Sequence, residues 1–140
     1  MNITTARIKL MEANNERLCG FSSITFDDAF VVRDLKIIEG SKGQFIAMPS
    51  RRLNDRCVYC GRKNHLQARF CNSCGSQLDV DRAIIGTNGR PKLHADIAHP
   101  INEACRESIS KVVLEAYSQE LERSYQPDYV CRYDDYDHEA

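Results

Sequence analysis

The chain has 140 residues and a formal net charge of −1, with 19 basic against 20 acidic residues. This length allows one modest domain and a small second module. The balanced charge gives no global argument for a nucleic-acid partner. No apolar run approaches the roughly 18 residues that a membrane-spanning helix needs, so we expect no membrane segment. Seven cysteines, without the apolar segment of a secretion signal at the N-terminus, predict a reducing, cytoplasmic environment.

The first third of the chain alternates between apolar and polar residues, as half-buried strands do. The predicted strands cover residues 3–10, 18–26, 29–38 and 44–49. The alternation of the third strand slips around Asp34, where we expect a bulge or bend. Short strands joined by turns predict an antiparallel meander rather than βαβ units.

The most specific motif is a set of two C-x-x-C pairs with ten residues between them. Zinc prefers four tetrahedral donors, and cysteine-rich sets of this kind form closed structural sites. Each pair is followed by a glycine, Gly61 or Gly75, where such tight turns often need a positive φ. The spacing is slightly below the usual range for paired C-x-x-C sites, but a short hairpin can close over ten residues. The motif therefore predicts a zinc ribbon that binds one structural Zn²⁺ through Cys57, Cys60, Cys71 and Cys74.

Other uses of these cysteines have weaker support. A disulfide framework would need a secreted chain, and a redox-active C-x-x-C would be expected near a βαβ pattern. His65 lies between the pairs and could in principle replace a thiolate. With four cysteines available, we expect His65 to be a solvated loop residue. Cys19 and Cys105 are expected to be packing residues, since free cysteine behaves as a small buried hydrophobe.

One helix is predicted near the C-terminus. Asn102 is a favourable N-cap residue, and apolar residues recur at i, i+3, i+4 spacing from Ile109 to Leu121. The helix should end at about Arg123, shortly before a proline. Residues 125–140 are acidic and tyrosine-rich, and we expect them to be disordered. The predicted fold class is α+β: an antiparallel β-sheet meander with a C-terminal helix, plus a small inserted zinc ribbon.

Two stretches flank the cysteine motif: FVVRDLKIIEGSKGQFIAMPSRR at residues 30–52 and DIAHPIN at residues 96–102. Together with helix residues at matching spacing, they resemble the SpoVG family of bacterial septation and sporulation regulators. The matching helix residues are Ile101, Asn102, Arg106, Ile109, Val113, Leu114 and Tyr117. The resemblance implies an antiparallel sheet with a C-terminal helix, a homodimer formed through the strands, and regulation by binding DNA and RNA.

The middle of the chain departs from this family, where a short loop joins the two motifs. Here that loop is expanded to carry the ribbon. An insertion at a surface loop costs little, because loop-closure entropy grows slowly with length, and a metal brings its own stability. The predicted domains are a SpoVG-like core at 1–54 and 90–124, an inserted zinc ribbon at 55–78, a spacer at 79–89 and the tail at 125–140.

Basic residues concentrate in and before the predicted ribbon. From Ser41 to Cys74 the chain has seven basic residues and one acid, Asp55. Such local charge is typical of a phosphate-binding face. We therefore predict DNA or RNA contacts by Arg51, Arg52, Arg56, Arg62, Lys63 and Arg69. Tyr59 and Phe70 could offer bases a stacking surface. Alternatively, these charges are ordinary solvated surface and Phe70 fills the small core of the ribbon.

Two functions stay open. The chain is either a dimeric DNA/RNA-binding regulator whose ribbon widens the basic surface, or a regulator whose ribbon is a protein-docking module. We expect no enzymatic activity. His99, with Asp96 three residues upstream, has no nucleophile or second acid beside it in the sequence.

Overall fold

The structure is a computed structural model that describes residues 2–12 and 17–135. The chain divides into two compact units. Unit 1 comprises Met1–Pro49 and Ala98–Ala140, and unit 2 comprises Ser50–Ile97. Unit 2 is therefore larger than the ribbon that we predicted at 55–78, because it also includes the residues just before and after the ribbon and spacer.

Unit 1 contains a four-stranded antiparallel sheet in which every strand pairs with its neighbour in sequence. Its strands are β1 (Ile3–Leu10), β2 (Leu18–Phe26), β3 (Phe30–Gly40) and β4 (Gly43–Ala47). The turn between β2 and β3 places Asp27 and Asp28 at φ 53° and 51°. Positive φ at both central residues is the geometry of the tight hairpin turn that matches strand twist. The predicted meander is confirmed.

The bulge predicted near Asp34 is also present. Ser22 pairs with Leu35 and Ile24 pairs with Val32, so β3 carries one more residue than β2 between these two pairs. Asp34 takes a left-handed backbone with φ 65°, which is uncommon for a residue other than glycine. Because a bulge shifts side-chain alternation, Leu35 is fully buried beyond it.

The helix α1 (Glu103–Arg123) begins and ends where the sequence predicts. The Asn102 side chain accepts a hydrogen bond from the Cys105 amide at 2.8 Å, as an N-cap residue does. The buried core of unit 1 joins the helix to the sheet and consists of Ile8, Ile24, Phe26, Leu35, Ile37, Ile46, Ile109 and Val113. Cys19 and Cys105 pack against this core, as expected. Within the described residues, no helix has the length and apolar content needed to cross a membrane.

Unit 2 is built from two short antiparallel strand pairs and a very small core. Strand β5 (Ser50–Arg52) pairs with β8 (His94–Asp96), and β6 (Asn54–Arg56) pairs with β7 (Lys63–His65). Because β5 pairs with β8, the residues on both sides of the predicted ribbon and spacer belong to unit 2. The buried residues of its core are Cys57, Cys71 and Leu78, with Ala68 packed against them. So small a core needs a further source of stability, such as a metal.

The tail was predicted to be disordered, and for its described part this is wrong. Tyr133 is only 4% exposed. Its hydroxyl donates to the Asp34 carboxylate at 3.0 Å and accepts from the Asp34 amide at 3.1 Å. Arg33 lies over the Tyr133 ring, 5.1 Å from its centre, and forms an ion pair with Asp134. The acidic composition of the tail indicated a solvated segment. The Tyr133 side chain is nevertheless buried, with its hydroxyl bonded to Asp34 at the bulge. Residues 136–140 lie outside the described part.

We predict that removing the Tyr133 hydroxyl destabilises unit 1. Tyr133→Phe removes the partly buried hydroxyl that bonds the Asp34 amide and carboxylate, which costs about 1–2 kcal/mol. Tyr133→Ala also removes a buried ring, and the loss should reach about 3 kcal/mol or more. Urea unfolding at neutral pH measures both losses.

The matched control is Tyr125→Phe, because Tyr125 is 79% exposed and should change stability by less than about 0.5 kcal/mol. Burial raises the pKa of Tyr133 above its usual value. The folded state thus favours the neutral phenol. The contribution of Tyr133 to the free energy of unfolding is fully present below about pH 10 and is lost as the pH rises through the folded-state pKa. Equal stability of the two Phe variants would contradict this role.

Candidate metal centre and basic surface

The structure brings together the four cysteines that the sequence singles out. The sulfur atoms of Cys57, Cys60, Cys71 and Cys74, called here the cysteine cluster, all lie within 4.8 Å of one another. Cys57 and Cys74 are 3.7 Å apart at Sγ, and Cys60 and Cys71 are 3.6 Å apart. A tetrahedral site with metal–sulfur bonds of about 2.3 Å has sulfur–sulfur edges of about 3.8 Å. A disulfide bond would be only about 2.0 Å long, so the geometry fits four ligands around one metal ion.

Two tight turns of the same geometry present these ligands. The Gly61 amide donates to the Cys57 carbonyl at 2.9 Å, and the Gly75 amide donates to the Cys71 carbonyl at 3.0 Å. Both glycines have φ 77°, as the motif predicts. No atom lies within 4 Å of a Cβ built at either position. Backbone conformation, rather than lack of space, is therefore what favours glycine at these two positions.

Asn64 links the two turns, a role that no sequence motif indicates. It is buried at the centre of β7. Its amide donates to the Arg62 carbonyl at 3.3 Å and to Cys71 Sγ at 3.4 Å. Its carbonyl oxygen accepts from the Asn72 amide at 2.9 Å. One side chain thus holds the second turn against the strand that follows the first.

Hydrogen-bond donors stabilise the thiolate of Cys71. The backbone amide of Cys74, the side-chain amide of Asn64 and the backbone amide of Ser73 all donate to its sulfur. These donors lower the pKa of Cys71 to about 5. Hydrogen bonds to the charged form favour it, so this sulfur is prepared to act as an anionic ligand.

Cys60 shows the opposite effect. The backbone amide of Arg62 lowers its pKa, but desolvation and the neighbouring thiols outweigh that donor and raise it to about 11. Four thiolates within 4.8 Å repel one another. A cation at the centre would offset that repulsion and deprotonate its ligands.

His65 is not a member of the cysteine cluster. The prediction that it is a solvated loop residue is wrong, since it lies in β7 and is half-buried. Its Nδ1 is buried and has no hydrogen-bond partner among the described residues.

Arg82 ties the predicted spacer to the rest of unit 2. Its Nε lies 2.6 Å from the Asp55 carboxylate, and its side chain is 14% exposed. Its guanidinium also donates to the carbonyl oxygens of His65 and Ala68, at 3.0 Å each, and of Asp79. The predicted spacer, residues 79–89, is therefore attached to the rest of unit 2 through the Arg82 side chain. A lone arginine among turn residues gave no indication of these partners.

All six basic residues predicted to contact nucleic acid are exposed. Arg56 and Lys63 face each other in the register of β6 and β7, so their side chains share one face of the hairpin. Asp55 and Asn64 form the next pair and lie on the opposite face, where they contact Arg82 and Cys71. The hairpin therefore separates a basic face from the face that supports the cysteine cluster.

The other predicted contacts lie elsewhere in unit 2. Arg51 and Arg52 are neighbours in β5, so alternation places them on opposite faces of that strand. Arg62 precedes β7, and Arg69 lies two residues before Cys71, where the second turn begins. The strand register thus brings Arg56 and Lys63 together, but it does not place all six cations on one face.

The fold and site define a small α+β protein: a four-stranded meander, one packed C-terminal helix, and a segment between them that carries a four-cysteine site. The SpoVG family model matches residues 1–119. The chain belongs to the SpoVG family, as the sequence motifs had indicated.

Individual relatives agree with the family assignment. A protein of Agathobacter rectalis is 38% identical over 122 residues, which cover 87% of this chain and 98% of the relative. A Finegoldia magna protein is 36% identical over 124 residues, 88% of this chain and 80% of the relative. One from Anaeromyxobacter sp. is 33% identical over 135 residues, 96% of this chain and 100% of the relative. Each bears the name "Putative septation protein SpoVG", which describes a role in septation rather than an enzyme.

We predict that the purified chain carries one metal ion bound by the cysteine cluster. Cys71→Ser should abolish stoichiometric metal binding and unfold unit 2, because it removes one of four ligands from a unit with a very small core. Elemental analysis measures the metal, and hydrogen exchange of residues 50–97 measures the folding.

Cys131→Ser is the matched control, since Cys131 is an exposed cysteine outside the cluster. It should keep the full metal content. Retention of the metal by Cys71→Ser would contradict the proposed coordination.

We also predict that Arg82→Ala loosens unit 2 without removing the metal. The substitution leaves the Asp55 carboxylate and three carbonyl oxygens without their donor, at a cost of about 2–3 kcal/mol. Hydrogen exchange around 64–69 and 79–82 should accelerate accordingly. Arg90→Ala is the control because Arg90 is exposed. Equal protection in the two variants would show that Arg82 has no such role.

Proposed function

We propose that this chain is a dimeric, cytoplasmic regulator of septation, sporulation and gene expression that acts by binding DNA or RNA through unit 2. The cysteine cluster holds one structural Zn²⁺ in this proposal, and the exposed basic residues of unit 2 contact phosphates. The observation that carries the proposal is the pairing of Arg56 with Lys63 across an exposed hairpin.

The donor set supports zinc in a structural role. Four thiolates at tetrahedral spacing are the typical ligand set of closed zinc sites, which leave no position for water or substrate. The ion would hold the two turns of unit 2 together where its core is too small to do so. Four thiolate ligands also need reducing conditions, which supports the cytoplasm as the compartment.

The charge of unit 2 differs from that of the rest of the chain. Residues 50–97 contain nine basic and four acidic residues, whereas the remaining residues contain ten basic and sixteen acidic ones. Asp55, the only acid within the basic stretch, is neutralised by Arg82. Four thiolates around one Zn²⁺ would lower the charge of unit 2 by two, and it would remain positive. A basic unit in a nearly neutral chain is what phosphate binding requires.

The Arg56–Lys63 pair has an energetic cost that a polyanion would remove. Directly opposite residues have Cβ atoms about 4.5–5.5 Å apart, and like charges at that position destabilise a hairpin. Both side chains are exposed, and the Arg56 guanidinium donates to the carbonyl oxygen of Gly61 at 3.1 Å. Binding of a phosphate backbone would convert this repulsion into attraction and release counterions.

An apolar cavity in unit 1 supports the homodimer. It has a volume of about 380 Å³ and is lined mainly by Ile24, Phe26, Phe30, Val32, Met48 and Ile109. Phe30 at its edge is exposed, as is Phe45 on β4. Covering apolar surface of this kind with a second copy is favourable. A two-fold dimer would present two basic units to one nucleic acid.

A second candidate function is protein docking by unit 2. A groove of about 370 Å³ in this unit is lined chiefly by Leu66, Val80, Ala83, Ile85, Pro91 and Leu93. Val80 and Ile85 are exposed, which favours an apolar partner surface. In this alternative, unit 2 recruits another protein and the basic residues are solvated surface.

Neutralising the basic pair separates the two candidates. Arg56→Gln with Lys63→Gln should weaken binding to single-stranded RNA and duplex DNA. It should also reduce the slope of log affinity against log salt by up to about 1.4–1.8, because each phosphate contact contributes about 0.7–0.9. A salt titration by fluorescence anisotropy measures both quantities.

Arg106→Gln with Lys111→Gln is the matched control, because it removes the same charge from α1 in unit 1. It should have a smaller effect on the slope. If the Arg56 and Lys63 substitutions leave affinity and slope unchanged while metal content is normal, the docking alternative is favoured.

A further inference from the structure

Both aromatic side chains of unit 2 are exposed. Tyr59 is 74% exposed and Phe70 is 61% exposed. The core of the unit is instead formed by Cys57, Cys71 and Leu78, with Ala68. The alternative that Phe70 fills this core is therefore wrong. Two large rings in water do nothing for the stability of unit 2, since apolar area stabilises a fold only when it is buried.

Both rings are attached to backbone that adjoins a cysteine of the cluster. Tyr59 immediately precedes Cys60, and Phe70 immediately precedes Cys71. The sulfur atoms of these two cysteines are 3.6 Å apart. The Tyr59 amide donates to Cys57 Sγ at 3.4 Å, and Phe70 forms a β-bridge with Gln77. The rings therefore project from a backbone that is already ordered, so little entropy is lost when a ligand stacks on them.

Cations adjoin both rings in the sequence. Arg69 directly precedes Phe70, and Arg62 follows Tyr59 by three residues; both arginines are exposed. Exposed rings beside exposed cations are the combination that proteins use to bind single strands, in which bases stack on rings and cations follow the phosphates. In a duplex, the faces of the bases are already stacked on one another, so rings gain little there.

We propose that Tyr59 and Phe70 form a stacking platform for unpaired bases, so that unit 2 binds single-stranded nucleic acid in preference to duplex. This inference rests on the proposed function, that unit 2 binds nucleic acid, and adds the form of nucleic acid that it selects. The platform supplies affinity through ring faces, which every base has, so it selects unpaired bases and tolerates any sequence. Arg62 and Arg69 contact the phosphates on either side.

The first test compares alanine substitutions of the rings. The probes are a 12-nucleotide single-stranded DNA, the RNA of the same sequence, and the corresponding DNA duplex. Tyr59→Ala and Phe70→Ala should each weaken binding of both single strands on the order of tenfold. Duplex affinity should stay unchanged. The salt slope should also stay unchanged, because stacking releases no counterions.

Tyr125→Ala is the matched control for these variants, since Tyr125 is exposed but lies in unit 1. It should bind all three probes as the wild type does. Metal content is measured for every variant, so that loss of the cysteine cluster is not mistaken for loss of stacking.

The second test reads stacking directly and keeps an aromatic ring in place. The chain has no tryptophan, so Tyr59→Trp introduces a single tryptophan, at the platform. Its fluorescence should be quenched by the single-stranded probes and not by the duplex. Tyr125→Trp places the same fluorophore outside the platform and should show no quenching.

The outcomes distinguish the platform from the proposed function. If the wild type binds single strand and duplex equally, and the alanine variants do the same, the platform is wrong and nucleic-acid binding by unit 2 stands. If the wild type binds none of the probes, both fail and protein docking is favoured. Selective loss of single-strand affinity, together with quenching at position 59, would establish the platform.

Discussion

Unit 2 depends on the placement of four sulfur atoms within 4.8 Å of one another. Its apolar core adds only Leu78 and Ala68, so the cysteine cluster and the Asn64 side chain are what connect its two turns. Four thiolates at this distance repel one another unless a cation lies between them. A metal ion bound there would therefore also act as a folding element. Removing it would release the hairpin β6–β7 and both rings that adjoin the ligands.

The surface of unit 2 follows from this arrangement. Asn64 and Asp55 direct their side chains toward the cluster and Arg82, and strand alternation then sends Arg56 and Lys63 to the opposite face. A shift of one residue in the pairing of β6 with β7 would move every side chain of the shifted strand to the opposite face. The support of the cysteine cluster and the basic face are therefore two consequences of one register. This coupling explains how a unit with almost no core can present fixed charges to a ligand.

Unit 1 relies on a different device, the bulge at Asp34. The extra residue realigns β3 so that Leu35 enters the core. It also leaves an amide and a carboxylate of Asp34 available to the Tyr133 hydroxyl. The C-terminal segment thereby packs on the sheet at the residue where the regular ladder is interrupted. A defect in strand pairing is used here as an attachment point.

Local chemistry made much of this protein predictable from its sequence. Strand alternation, the Asn102 cap and the positive φ of Gly61 and Gly75 depend on residues only a few positions apart. The spacing of the cysteines likewise indicated which four residues come together in the cysteine cluster. Tertiary structure alone decided the roles of Arg82, whose partner Asp55 is 27 positions away, and of Tyr133, whose partner Asp34 is 99 positions away. It also decided that Phe70 faces water rather than the core. Periodicity and spacing report how a residue relates to its neighbours in the chain, whereas these roles arise from partners that only folding brings into contact.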